Sequence, residues 1–330
     1  MLSATPTWPP DARRVLLSFR HSSKAVAAPS NSTLGFERIV VVSSGSSWRV
    51  DGLTRAAELT GLDLDIPLQP NWSYEEVDKF RGLTGQQPHS NLGRGQAKCW
   101  LGHLNALRYI VEHGWASALI MEDDTDWDIA IKYQMSLIAP HISTVTNSIS
   151  SGELQPYGNS WDLLWIGHCG DAVPLSGVIS IFDYTLPETA EYRENNGRHV
   201  TLTSKPQQRL IHMSDGPVCT YAYAVTRHTA MKIYEYTKDG TNNIITTDFR
   251  HWCQAGFLRC VSVNPELFHH HKSAGQVSSE IAVAESWDTL AAPATVDYTA
   301  NIRYSTRCNS ASTVLVSCQD EFKGVQVVSA

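Results

Sequence analysis

The chain has 330 residues, 42% of them hydrophobic and 18% charged, which describes a globular protein long enough to bury a large core. A net charge of −7 and a pI near 6.0 leave no basic stripe for duplex phosphates, which argues against a duplex nucleic-acid binder, and no nucleic-acid partner is expected. A single anionic nucleotide stays open if a metal supplies positive charge. No apolar run reaches the roughly 18 residues of a transmembrane helix, so no membrane span is expected. Seven scattered cysteines, an odd number without a CxxC pair, argue against a dense disulfide framework and allow one or two bridges.

Residues 1–35 read as a loose leader rich in Pro, Ser and Ala, without the continuous apolar stretch of a signal peptide. The pattern then changes. Ile39-Val40-Val41-Val42 is a β-branched run that opens into the Gly/Ser loop Ser43–Ser47, which predicts a buried strand and a turn. A helix is expected over Trp48–Thr60, closed by Gly61, and a second strand over Leu62–Ile66. Residues 67–98 are irregular and polar. Cys99–Gly114 carries the clearest helical stripe, in Trp100, Leu104, Leu107 and Val111.

Ala118–Met121 reads as a strand, Trp127–His141 as a helix ended by Pro140, and Trp161–Ile166 as another strand. Residues 171–216 lack a period and read as a long insertion outside the core, the expected acceptor-binding region. Pro217–Val225 is strand-like, Thr226 is a fitting N-cap for His228–Thr237, and Phe257–Val263 is a last strand. Strands alternating with helices predict an α/β fold, a mixed central sheet with helices on both faces. Residues 283–330 form a tail with no clear core pattern.

The acidic cluster behind the third strand asks for an explanation. Glu122, Asp123, Asp124, Asp126 and Asp128 place five carboxylates within seven positions. Such crowding raises each group's pKa unless a cation relieves it. If the chain stays extended past Met121, Glu122, Asp124 and Asp126 share one face, with Asp123 on the other. Oxygen ligands on a common face suit Mn²⁺ or Mg²⁺. A solvated, helix-capping turn is the alternative. Asp124 and Asp126 are the first metal candidates, at the carboxyl end of a strand where α/β sheets bind ligands. Arg49 and the loop starting at Ser43 are candidate nucleotide contacts. Cys99 and His103 stand at i and i+4; a zinc site with His168 and Cys169 is a weaker reading.

Taken in order, SSGSSWRVDGL, GRGQAKCWLGHLNALRYIV, SALIMEDDTDW, WDLLWIGHCG, PVCTYAYAV and VNPELFHHH resemble glycosyltransferase family 25, its fungal branch in particular. That family also holds lipopolysaccharide and procollagen galactosyltransferases. The resemblance spans about residues 36–282, read as one GT-A-type domain. It implies a UDP-sugar donor (typically UDP-galactose), Mn²⁺, a glycan or protein acceptor, and inversion at the anomeric carbon. On this likeness Glu122, Asp123, Cys99 and His103 join the donor-site candidates. His271, from the run His269–His271, becomes a third metal ligand and Asp248 the catalytic base, with Asp215 as the alternative base. Lys98 stands where the family has glycine, and only Arg49 and Asp51 remain of an Arg-rich loop. The likeness points to the ER or Golgi lumen, while the residues themselves leave a cytoplasmic location open. A non-catalytic binding descendant and a metal phosphoesterase are the competing function classes.

Overall fold

The computed structural model describes residues 28–45, 47–83, 91–148, 155–188, 191–193, 199–201, 206–271, 281 and 301–317. Most of the expected leader, and residues 283–300 and 318–330 of the expected tail, lie outside the described residues.

A mixed nine-stranded sheet organises the molecule. Strands β1 (Arg38–Val42), β2 (Ser117–Glu122), β3 (Thr125–Trp127), β4 (Leu163–Gly167) and β5 (Ile179–Phe182) are followed by a small hairpin of β6 (Glu191–Arg193) and β7 (His199–Thr201). Then come β8 (Gln208–Met213), β9 (Ala222–Thr226), β10 (Cys260–Asn264) and β11 (Phe268–His270). The sheet runs β1-β2-β9-β4-β10-β8-β5, with β11 bridging β3 and β4. β1 and β2 are parallel, as are β4 and β10, and β9 runs antiparallel between the two pairs. The carboxyl ends of β1, β2, β4 and β10 therefore share one edge.

Helices α1 (Trp48–Thr60), α2 (Tyr74–Phe80), α3 (Arg94–His113), α4 (Ile131–Val145), α5 (Arg227–Thr237), α6 (Ile245–Gln254) and α7 (Thr306–Ser310) complete the chain. The central strands are apolar on both faces, as strands sandwiched between helices must be. Ile39, Val41, Leu119, Met121, Leu164 and Ile166 pack on one side with α1 and α4. Val40, Ile120, Leu163 and Trp165 pack on the other, with Trp100 and Leu104 of α3 and Phe249 and Trp252 of α6.

Local signals worked where a cap defined the element. Gly61 ends α1 and Gly114 ends α3, both in the left-handed conformation (φ 62° and 75°), and Thr226 accepts the Thr229 N–H at the start of α5. α3 begins five residues before the expected Cys99, because the Gln96 side chain holds the Gly93 N–H (2.9 Å) and starts the helix there. Four other expectations are corrected. Leu62–Ile66 makes only one bridge, Asp65 to Val40, before Pro67 removes the next donor. Trp127 belongs to β3, paired with Phe268, and α4 starts at Ile131. α4 then runs through Pro140, whose ring lies on the exposed side while Ile138, Ala139 and Ile142 hold the helix to the core. Residues 171–216 are no mere insertion: β8 pairs with β10, and β5 with β8.

Part of the expected tail is core structure. Ser305 side-chain oxygen caps α7, and Thr306, Arg307 and Asn309 are buried. Disulfides join Cys169 to Cys219 and Cys253 to Cys260, and Cys308 is disulfide-bonded as well. The Cys169 bridge removes one ligand of the weaker zinc reading. His168 is also committed, contacting Val263 O and accepting from Gly170 N, both at 3.0 Å. No helix among the described residues is long and apolar enough to cross a membrane.

Candidate functional site

A cleft of about 570 Å³ opens at the carboxyl ends of β1 and β2. Its floor is Val42–Ser44 and Glu122–Asp124, one wall is α3, and the other is the loop Gln69–Trp72. Arg49 enters from the first turn of α1. Ser43, Arg49, Cys99, His103, Glu122, Asp123 and Asp124 all line this cleft, so parts of the chain 80 residues apart converge there.

The acidic run does not stay extended. Asp123 and Asp124 form a turn between β2 and β3, so the expected alternation breaks and Glu122, Asp123 and Asp124 all reach the cleft. Asp123 is buried, accepts from Ser43 Oγ at 2.7 Å, and lies 3.9 Å from Arg49 Nη1. Glu122 Oε1 accepts from Thr220 Oγ1 at 2.6 Å and stands 3.5 Å from His103 Nε2. Burial alone would raise the Glu122 pKa, but His103, Thr220 and His270 together pull it below the ordinary carboxylate value. His103 is fully buried on α3, its Nδ1 sharing a hydrogen bond with the Tyr223 hydroxyl at 2.9 Å.

Asp124 is the exception in this network. Its Oδ1 is buried without a hydrogen-bond partner. Burial, and next the negative charge of Glu122, push its pKa to about 7, with Arg49 and Arg307 opposing. A buried carboxylate oxygen lacking a donor is costly, and a cation would satisfy it. Among the described residues, no three His, Cys, Asp or Glu side chains converge as a ready-made cage. A metal here would take only one or two protein oxygens and complete its shell with water and phosphate, as Mg²⁺ and similar ions do at nucleotide sites.

The other two expected ligands lie elsewhere. Asp126 faces away from the cleft and holds α7, accepting from Ser305 Oγ, from Thr306 Oγ1 at 2.9 Å and from Arg307 N at 3.2 Å. His271 does not line the cleft; its N–H donates to Asp124 O at 2.6 Å. Asp128, pushed up to about 7 by burial, accepts from Arg303 N and Tyr304 N. The five acids thus divide. Three face the cleft, and two anchor the C-terminal segment.

Asp248 also lies outside the cleft lining. It sits in the first turn of α6, buried, and accepts from Thr241 Oγ1 and Asn243 Nδ2, each at 2.7 Å. Asp215 is exposed and likewise off the lining. Lys98 is exposed on the α3 wall, its Nζ 5.9 Å from the Tyr74 ring. The cleft-lining loop Gln69–Trp72 and the supporting Thr220, Tyr223 and Arg307 were missed. Pro70 and Trp72 in a polar stretch were the one local signal; the other three act only through distant partners.

No protein-family model matches this chain, and no curated protein matches it.

Proposed function

We propose that this protein is a metal-dependent, inverting glycosyltransferase of GT-A type that moves a hexose, galactose in the first instance, from a UDP-sugar to an acceptor hydroxyl. One observation carries the reading. Seven of the nine donor-site and metal candidates, taken from three separate sequence segments, meet in one cleft, at the strand ends where α/β sheets bind nucleotides, while Asp126 and His271 lie outside it. Asp124 and Glu122 would hold Mn²⁺ or Mg²⁺, which when bound neutralises diphosphate charge as the sugar leaves. Ser43 and Asp123 fix the floor, Arg49 and Lys98 supply positive charge near the diphosphate, and the Gln69–Trp72 wall shields the donor from water. The engagement of Asp248 by Thr241 and Asn243 favours one second reading, a binding protein without a base for transfer.

The test is a panel of UDP-sugars, with GDP and CMP as controls, in Mn²⁺. It is scored for UDP release, phosphate release and melting temperature. UDP release from UDP-galactose supports transfer. Stabilisation without release supports the binding protein, and phosphate release alone a phosphoesterase. Absence of any UDP-dependent stabilisation overturns both nucleotide readings.

A further inference from the structure

We propose that Arg307 is the positioning residue of the acidic turn, and that the C-terminal segment carrying it is a built part of the cleft. Arg307 is 7% exposed although it comes from a segment with no apolar pattern. Its guanidinium donates through Nε to Thr125 O at 2.8 Å, through Nη1 to Arg49 O at 3.1 Å, and through Nη2 to Asp123 O. Three carbonyls from α1, the turn and β3 are thus joined by one planar group, a geometry lysine cannot reproduce. The same cation lies close enough to Asp123, Asp124 and Asp126 for their charges to act on it. It holds the turn's backbone while offsetting the repulsion that gathering these acids creates.

Gly52 supplies an independent observation. It sits inside α1, and a Cβ there would stand 2.6 Å from Arg307 Nη1. The guanidinium cannot swing aside without leaving its three carbonyls. Glycine inside a helix is unfavourable, so its presence here fits a reserved space. The docking of the segment is equally specific. Asp126 holds Ser305 and Thr306, Asp128 holds the amides of Arg303 and Tyr304, and Glu266 accepts from Asn301 Nδ2 at 2.9 Å.

The test uses the full chain and three variants, Arg307→Lys, Arg307→Ala and Gly52→Ala. Amide hydrogen exchange is read over residues 122–127 and, as a control, over β4 and β10. Exchange in the turn should accelerate about tenfold or more in all three variants, with the control strands still protected. Millimolar guanidinium should restore protection to Arg307→Ala, and sodium should not. If the Arg307 variants fail to fold, Gly52→Ala, which keeps every charged group, decides alone. Wild-type protection of the turn in Gly52→Ala overturns the proposal. Mn²⁺ affinity, followed by electron paramagnetic resonance, rests on the metal reading and should fall in step with the turn. Wild-type protein that does not bind Mn²⁺ refutes that reading alone, since the exchange result concerns the apo-protein.

Discussion

At the scale of single residues, the chemistry concentrates in Asp124. Its folded-state pKa of about 7 lies above the ordinary 3.8. Between those values the native state binds more protons than the unfolded chain. The associated stability is therefore complete below about pH 3.8 and is lost as pH rises through 7, at up to roughly 1.4 kcal/mol per pH unit. Asp124→Asn cannot ionise and lacks this loss. Without metal, the variant should be the more stable protein at pH 7.5, with the gap closing toward pH 5. Equal pH slopes in urea titrations would show that Asp124 is not strained. Added Mn²⁺ should reverse the order by stabilising only wild type. Asp248 leads to a different expectation. Asparagine keeps one oxygen for the Asn243 amide and turns its own amide to the Thr241 hydroxyl, which can accept, so Asp248→Asn should lose no more than about 1 kcal/mol of stability. Turnover per folded molecule, at saturating donor and acceptor, should stay near wild type. A drop of roughly a hundredfold at unchanged UDP-sugar affinity would instead restore Asp248 as the base.

At the scale of elements, legibility followed whether an element was defined by its own residues. α1, α3 and α5 carry caps and apolar stripes, so their presence was readable from short windows. β8 was not readable, because its register places a charge in the core. Arg209 and Asp183 are both fully buried and paired at 2.7 Å, with Arg209 Nη1 also donating to Pro265 O at 2.7 Å. A strand whose inward position is arginine breaks the alternation that sequence reading depends on. Removing one member leaves the other charge buried, so Arg209→Met should destabilise by about 3–5 kcal/mol. Urea unfolding at neutral pH measures this, and a loss under 1 kcal/mol, on the order of an exposed pair, would mean the pair is solvated. The segment 301–317 was illegible for a related reason. It is held by backbone amides and hydroxyls docking on acids more than 170 residues earlier, and no local period records that.

At the scale of the whole molecule, the alternation of strands and helices announced the layered sheet, and the acidic run announced the cleft. What it could not announce was the division of labour among the acids, which depends on where the chain returns. The disulfides carry the same lesson into a prediction. Cys169–Cys219 spans 50 residues and Cys253–Cys260 spans 7. Loop-closure entropy assigns them about 4 and about 2 kcal/mol respectively, so paired alanine replacement should cost more at the first bridge. The first bridge also has a local consequence that the second lacks. It anchors the stretch next to Thr220, which holds Glu122, and to Tyr221, whose carbonyl receives the Glu122 N–H and the Thr125 hydroxyl. Cys253–Cys260 instead ties α6 to β10, away from the cleft lining. Two double variants separate entropy from position. Cys253→Ala/Cys260→Ala should lower the unfolding midpoint while leaving UDP and Mn²⁺ affinity unchanged at temperatures where it is folded. Cys169→Ala/Cys219→Ala should weaken Mn²⁺-dependent UDP binding several-fold even when fully folded, because the support behind Glu122 loosens. Equal ligand affinities in the two folded variants would mean that the bridge contributes only to global stability and that Thr220 and Tyr221 hold the acidic turn without it.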